Sequence, residues 1–171
     1  MVTAGLDIRH KRDEVFFYDC PRAEKQFEVR ECKRSEWAKF RKYHYLNTDL
    51  PSAAQCYGLY DGENIIGFLG VLHQPHARNK KIKRVCRLVI LPDYQGIGLG
   101  TKLLNVIAER YTKLGFDFSI VTSAKNFIYA LKKSDKWLLQ AYCISSKHGK
   151  IDGNRASLRM NCKTARFMYK R

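Results

Sequence analysis

The sequence predicts an α/β (α+β) domain, in which a mixed central sheet of about six or seven strands carries helices on both faces. Two observations support this prediction. Apolar segments with the period of strands alternate along the chain with segments that have the period of helices. One such transition, "VILPDYQGIGLGTKLL" over residues 89–104, passes from strand to helix through three glycines at alternate positions. The domain is predicted over residues 26–171, after an N-terminal arm or extra strand over residues 1–25.

The first predicted elements are a strand and a helix. Residues 26–32, "QFEVREC", alternate between apolar and polar side chains in the manner of a strand. Ser35 is a suitable N-cap, and Trp37, Phe40 and Tyr43 follow it at helical spacing. The sequence "NTDLPS" then ends the helix.

A hairpin and a central strand follow. Two apolar segments within residues 53–74 flank Asp61-Gly62, a residue pair that favours the positive φ angles of a tight turn. Residues 85–91, "VCRLVIL", are continuous enough in apolar character to predict a strand that is buried on both faces.

The second half of the chain continues the alternation. A helix is predicted from about Ile97 to Leu114, and Gly115 ends it. Its apolar face is expected to consist of Gly100, Leu103, Leu104, Ile107, Tyr111 and Leu114. The remaining predictions are a strand over 116–123, a helix over 126–134, a strand over 137–146 and a last strand over 156–170.

The charge of the chain is strongly positive. Its 171 residues include 32 Lys or Arg against 16 Asp or Glu, a formal net charge of +16. Such an excess favours an anionic partner, with nucleic acid foremost, although a solvated basic surface has the same composition. The candidate contacts are a loop with Arg78, Lys80, Lys81, Lys83 and Arg84, and a basic C-terminal stretch, 147–171, with Phe167 and Tyr169 interleaved.

Three further features set expectations about compartment and metals. The six cysteines form no C-x-x-C pair, which favours reduced and mostly buried thiols. The N-terminus has no apolar core of a signal peptide and no segment has the apolar length of a membrane span, so a cytoplasmic location is expected. His73 and His76 stand at H-x-x-H spacing, but a proline intervenes and no further ligand is evident, so no metal is expected.

The glycines between strand and helix predict a phosphate cradle. The first N–H groups of a helix lack partners within it, and its dipole places about half a positive charge there. Gly96, Gly98 and Gly100 let a phosphate approach that backbone closely. The segment lacks the Gly-Lys-Ser/Thr of a P-loop, and Thr101 stands where a dinucleotide fingerprint would have its last glycine.

The pattern Gln95-x-x-Gly98-x-Gly100, after a strand and before an amphipathic helix, resembles motif A of the GCN5-related N-acetyltransferases, the GNAT superfamily. The resemblance is tight over residues 85–115. It implies the GNAT fold, in which a bulge splays the fourth strand, 85–91, from the fifth, 116–123. It also implies acetyl-CoA as cofactor. The residues implied in binding it are Val89, Ile90 and Leu91 for the pantetheine arm, then Gln95, Gly96, Ile97, Gly98, Leu99, Gly100 and Thr101 for the pyrophosphate, and Asn126, which could equally be an N-cap.

The catalytic groups are less well marked. Many GNAT enzymes place a tyrosine about seven residues after the Asn as the acid for the leaving thiolate, and Lys133 stands at that position here. Tyr129 is close in sequence but is expected to face another side of the helix. His44 and Tyr45, in "KYHYLNTDLP", are candidate acceptor-site and catalytic residues, and could equally be ordinary surface and core residues. This segment and "SAKNFIYALKKSDKW" resemble the branch with ATPase-associated GNAT-like domains and the phage Mom-like proteins that modify adenine in DNA.

Three functions are therefore open. The leading hypothesis is an N-acyltransferase that uses acetyl-CoA, with either a nucleic-acid base or a small-molecule or protein amine as acceptor, and the charge favours the base. The second is a non-enzymatic module that binds CoA or nucleic acid. The third is an unrelated α/β domain whose glycines bind nucleic-acid phosphates.

Overall fold

The structure, a computed structural model, describes residues 16–20, 25–44, 49–144 and 163–170. The described part of the chain contains eight strands and three α-helices. In chain order they are β1 (Phe16–Cys20), β2 (Lys25–Glu31), α1 (Trp37–Phe40), β3 (Gln55–Asp61), β4 (Asn64–His73), β5 (Ile82–Ile90), α2 (Leu99–Lys113), β6 (Asp117–Thr122), α3 (Lys125–Lys133), β7 (Trp137–Ile144) and β8 (Lys163–Tyr169). Short 3-10 turns lie at Arg34–Glu36, Arg41–Tyr43 and Pro92–Tyr94.

The strands form one mixed sheet in the order β1-β2-β3-β4-β5-β6-β8-β7. Strands β5 and β6 are parallel, whereas β1 to β4 pair in antiparallel fashion, as do β6, β8 and β7. The eight strands exceed the predicted six or seven because β1, within the predicted N-terminal arm or extra strand, pairs with β2. The chain divides into two compact units, Met1–Val71 with Cys86–Val106, and Leu72–Val85 with Ile107–Arg171.

The first unit has an apolar core between α1 and the sheet. Trp37 and Phe40 of α1 are buried, and both of their rings pack against Phe68 of β4, with centroid distances of 5.3 and 5.7 Å. The helix predicted from Ser35 is shorter than expected, since only four residues are α-helical and a 3-10 turn lies on either side. Tyr43, in the second of these turns, is exposed and does not join the core.

The predicted hairpin is formed by β3 and β4. Asp61 pairs with Asn64, and Gly62 between them has a φ of +59°, a value that glycine adopts without steric cost. The turn therefore lies at Gly62 and the following residue, one position later than the pair Asp61-Gly62 predicts.

The second unit is held together by aromatic rings. Tyr111 of α2 stacks on Phe118 of β6 at 5.6 Å, and Phe118 in turn lies 6.5 Å from Trp137 of β7. Phe167 is fully buried, so it cannot belong to the nucleic-acid face that the basic C-terminal stretch predicts. Its strand, β8, begins at Lys163, and the earlier part of the predicted last strand lies outside the described residues.

Helix α2 confirms most of its predicted apolar face. Its buried side chains are Leu99, Leu103, Leu104, Ile107, Ala108 and Tyr111. Leu114 is 38% exposed because the helix ends at Lys113. Gly115 follows with a φ of +80°, and the Phe116 N–H bonds the Tyr111 carbonyl at 3.0 Å, which closes the helix as predicted. Within the described ranges, no helix combines the length and apolar character needed to cross a membrane.

Candidate cofactor and acceptor site

Two glycines shape the backbone between β5 and α2. After a 3-10 turn at Pro92–Tyr94, Gly96 and Gly98 adopt φ angles of +87° and +86°. A Cβ atom added at either glycine would meet no other atom within 4 Å. The segment is therefore both left-handed in conformation and open on the side where a side chain would project, as a phosphate cradle requires.

The first turn of α2 supplies hydrogen-bond donors to this cradle. The Gly98 carbonyl accepts the first helical bond, from the Lys102 N–H at 3.2 Å. The N–H groups of residues 99–101 precede that bond, so they have no carbonyl partner within the helix. Because the buried Leu99 side chain anchors the turn, these donors are held in place at the positive end of the helix dipole.

The hydrogen bonds of β5 reveal a bulge in that strand. Near its start, the Ile82 carbonyl accepts a bond from Gln74, directly after β4. At its end, the Leu91 N–H donates to the Ile66 carbonyl of β4, so the Ile90 carbonyl of the same peptide faces away from β4. A regular strand would point the carbonyls of Ile82 and Ile90 toward the same neighbour. One extra residue must therefore lie between them.

Pairing of β5 with β6 stops early, as the predicted splay requires. The parallel register joins Ile82–Arg84 to Asp117–Ser119 and includes no later residue of β5, which continues to Ile90. The edge of β5 that faces away from β4 presents the Ile90 N–H, while the Ile90 carbonyl on that edge accepts a bond from Gln95. The Leu91 N–H, by contrast, is already bonded within the sheet at 2.9 Å.

Gln95 has a role that the sequence does not indicate. Its Nε2 donates to the Ile90 carbonyl at 2.7 Å, which ties the start of the cradle to the end of β5. A second bond, from the Tyr94 hydroxyl to Asp61 at 3.2 Å, joins the preceding turn to the β3–β4 hairpin. Gln95 thus orients the cradle, and its direct contact with pyrophosphate stays a prediction.

Helix α3 corrects two expectations. Its N-cap is Ala124, so Asn126 lies inside the helix as an exposed second residue and is not the cap. Its role in cofactor binding stays a prediction. Tyr129 and Lys133 share a face, because they are one turn apart, and the Lys133 Nζ lies 4.5 Å from the Tyr129 ring centroid. The expectation that Tyr129 faces another side is therefore wrong.

Of the two candidate acceptor residues, the structure describes His44. His44 is half-buried, and its ring meets the edge of Trp37 at 5.6 Å between centroids. Tyr45 lies outside the described residues. The contact with Trp37 places His44 beside the core of the first unit.

The basic loop before β5 is only partly available to a partner. Arg78, Lys80 and Lys81 are exposed, and the loop is anchored by Asn79, whose side chain bonds Asp117 at 2.5 Å. The prediction that Lys83 is a nucleic-acid contact of this loop is wrong, because Lys83 belongs to β5 and only 7% of it is exposed. Its Nζ lies 5.1 Å from each of two ring centroids, those of Tyr111 and Phe116.

Arg84 is also part of β5 and not of an open loop. It is half-buried, and burial together with the nearby charge of Arg166 lowers the pKa of its guanidinium. Two of the five predicted basic contacts, Lys83 and Arg84, are therefore strand residues whose side chains are wholly or partly withdrawn from solvent.

Three cysteines with described side chains lie in or against the core of the first unit. Cys32, Cys56 and Cys86 are free thiols, and Cys56 is buried. Burial raises the pKa of Cys56 to about 11 and raises the pKa values of the other two, so all three are protonated near neutral pH. Across the described residues, no group of three or more His, Cys, Asp or Glu side chains could hold a metal ion.

Comparison with known proteins identifies the family. The sequence model of the Acetyltransferase (GNAT) family matches residues 17–129, about two thirds of the chain. The chain belongs to this family. The match includes the strand, the glycine cradle and helix α2, so the GNAT resemblance of the motif at Gln95 is confirmed. No curated protein matches the chain by sequence.

Solved structures share the fold at low sequence identity. A Bacillus subtilis acetyltransferase in complex with CoA superposes with a TM-score of 0.61 at 17% identity, over 83% of this chain and 95% of that one. The ribosomal-protein-S18-alanine N-acetyltransferase of Escherichia coli gives 0.61 at 14%, over 83% and 92%. A GNAT family acetyltransferase from Elizabethkingia anophelis with acetyl-CoA bound gives 0.53 at 11%, over 84% and 96%.

Family membership defines the chemistry. GNAT enzymes transfer the acetyl group of acetyl-CoA to an amine, and acetyl-CoA is the cosubstrate. The cradle and the edge of β5 beyond its pairing with β6 fit this cosubstrate, since one offers N–H donors to a pyrophosphate and the other offers the Ile90 N–H to an amide-bearing arm, the Ile90 carbonyl being bonded by Gln95. In the transfer, the amine nitrogen bonds to the acetyl carbon, the carbon–sulfur bond breaks, the nitrogen releases a proton, and the thiolate takes one up.

Proposed function

We propose that this GNAT enzyme acetylates an amino group carried by a nucleic acid, with a base as the acceptor. The observation that carries the proposal is the charge of the segment that leads up to His44, together with Asp49 and Arg87. Residues 33–44 with Asp49 and Arg87 include six Lys or Arg side chains and two carboxylates. Such an excess attracts a polyanion and repels a polycationic amine. A Mom-like branch, whose members modify adenine, would fit this acceptor and stays a proposal.

The acceptor can be identified by following the acetyl group. The protein is incubated with acetyl-CoA labelled in its acetyl group and, separately, with a single-stranded oligonucleotide, spermidine and a lysine-containing peptide. We expect the label in nucleosides released from the oligonucleotide. Label in spermidine or the peptide, with none in the nucleosides, would show that the acceptor is a small-molecule or protein amine. Release of CoA without any acetylated product would favour a binding module.

Nucleic-acid binding should weaken steeply as salt concentration rises, because each neutralised phosphate releases counterions. Arg78, Lys80 and Lys81 are the exposed basic side chains of the loop before β5. Replacing all three by Glu should flatten the log–log salt slope by roughly two to three units if each contacts a phosphate. A salt titration of oligonucleotide binding measures this slope. Equal slopes for the wild type and the triple variant would remove the loop from the interface.

His44 and Tyr45 are proposed to border the acceptor. Tyr45→Phe should lower kcat by about tenfold, the lower range for a lost acid–base group, while acetyl-CoA affinity stays unchanged. Single-turnover kinetics with a parallel acetyl-CoA titration separate the two effects. Normal turnover by Tyr45→Phe would exclude a role for its hydroxyl in catalysis.

A further inference from the structure

Three arginines from separate parts of the first unit converge on two consecutive residues, Asp49 and Leu50. Arg34 donates from Nη2 to the Leu50 carbonyl. Arg87 of β5 donates from Nη2 to the Asp49 carbonyl at 3.1 Å. Arg41 forms an ion pair with the Asp49 carboxylate, with an Nη1–Oδ1 distance of 3.1 Å. We call these three side chains the arginine cluster.

The side chain of Arg87 is held in place by contacts with the protein. Arg87 is half-buried, its Nη1 also bonds the Cys86 carbonyl at 2.7 Å, and its guanidinium carbon lies 5.8 Å from the Trp37 ring centroid. Trp37 is fixed in turn by Phe68. A planar guanidinium held on a buried indole loses little freedom when it binds an anion.

The cluster carries more positive charge than its acidic partner offsets. Only the Arg41 guanidinium pairs with the Asp49 carboxylate, whose side chain is 83% exposed, while Arg34 and Arg87 bond the backbone carbonyls beside it. The Arg41 side chain is itself 47% exposed, so an anion in solution can reach both members of the ion pair. Such an exposed pair contributes only about 0–1 kcal/mol, so a better anion can replace it.

We propose that the arginine cluster binds a phosphate group carried by the acceptor, and that the Asp49 carboxylate occupies this position until the acceptor arrives. Guanidinium groups match the geometry of phosphate oxygens and donate two parallel bonds to them. The cluster lies in the same unit as His44, whose ring also contacts Trp37. The inference rests on the proposed function for the source of the phosphate, a nucleic-acid backbone, but the site itself requires only phosphate chemistry.

Two substitutions should act in opposite directions. Arg41→Gln removes one guanidinium and should weaken phosphate binding by about tenfold or more, as expected for a lost charge-assisted bond. Asp49→Asn removes the competing carboxylate and should tighten binding severalfold. A gain of affinity cannot arise from a damaged fold, so the second variant protects the test against a structural explanation. Lys42→Gln is the matched control, because it removes the same charge from the next residue, whose Nζ lies over the Tyr43 ring.

The titrations use inorganic phosphate and a single-stranded oligonucleotide, both with the full chain saturated with CoA so that the cradle is filled. The proposed phosphate site is wrong if Asp49→Asn tightens the binding of neither probe. It is also wrong if Lys42→Gln lowers the affinity as much as Arg41→Gln does. Tightening for the oligonucleotide alone places the phosphate in a polymer, whereas tightening for both probes shows that phosphate itself suffices.

The same variants separate this inference from the proposed function. If labelled acetyl groups never reach a nucleoside but Asp49→Asn still tightens inorganic phosphate, the proposed nucleic-acid acceptor is wrong and the phosphate site stands. If nucleosides are acetylated but all variants bind both probes like the wild type, the phosphate site is wrong and the acceptor stands.

Discussion

Gly98→Asp should abolish the stabilisation of this protein by acetyl-CoA. A ligand that binds only the native state at a hundredfold excess over its Kd adds about 2.7 kcal/mol to the free energy of unfolding. At position 98 the new carboxylate would project into the open side of the cradle and hydrogen-bond the N–H groups of the first turn of α2 itself. It would also repel the pyrophosphate. Thermal melts with and without acetyl-CoA measure the loss.

The same helix offers a matched control. Gly115, at the other end of α2, has a φ of +80° against +86° at Gly98, and an added Cβ would meet nothing within 4 Å there either. Gly115→Asp therefore imposes the same charge and a similar backbone strain at the opposite end of the helix. It should melt at a lower temperature but keep the full shift with acetyl-CoA. A normal shift in Gly98→Asp would show that the cofactor phosphates bind elsewhere.

Lys83→Glu should destabilise the fold severely. The ammonium group of Lys83 lies between the faces of Tyr111 and Phe116, which attract a cation and repel an anion. A carboxylate at this position would be buried without a matching charge, at a cost of about 3–5 kcal/mol. Urea denaturation measures the change. Lys81→Glu, two residues earlier on an exposed loop, should change the free energy of unfolding by less than about 0.5 kcal/mol.

The pH dependence of stability, compared between the wild type and Lys83→Met, tests whether the Lys83 ammonium group is buried. Burial lowers the pKa of Lys83 from its usual 10.5, so above the lowered pKa the unfolded chain binds more protons than the native one. The wild type should therefore gain stability relative to Lys83→Met as pH rises through the alkaline range toward 10.5. A pH-independent difference between the two proteins would place the ammonium group in solvent.

The elements with strong local signals could be predicted from the sequence. The cradle was predictable because proline, glycine and helical periodicity act within a few residues of one another, and Gly96 and Gly98 adopt the φ angles that this use requires. The same holds for the end of α2 at Gly115. The helix predicted from Ser35 is shorter because burial of Trp37 and Phe40 requires only one turn, so periodicity overstated its length.

What the sequence could not show depends on contacts between distant residues. Lys83 looks like part of a basic loop, and only the packing of α2 and the following strand reveals that it is buried against Tyr111. The arginine cluster is assembled from Arg34, Arg41 and Arg87, whose sequence positions share no motif. No local pattern could have indicated that all three meet at Asp49 and Leu50.

Amide NMR tests most directly whether the backbone of the cradle binds acetyl-CoA. The protein has 171 residues and a mass of 19.9 kDa, a size at which its amide signals can be assigned. Titration with acetyl-CoA should move the amide signals of residues 96–101 and Ile90 first and furthest if these N–H groups bond the cofactor as proposed. If those signals stay in place while others move, acetyl-CoA binds outside the cradle and the account is contradicted.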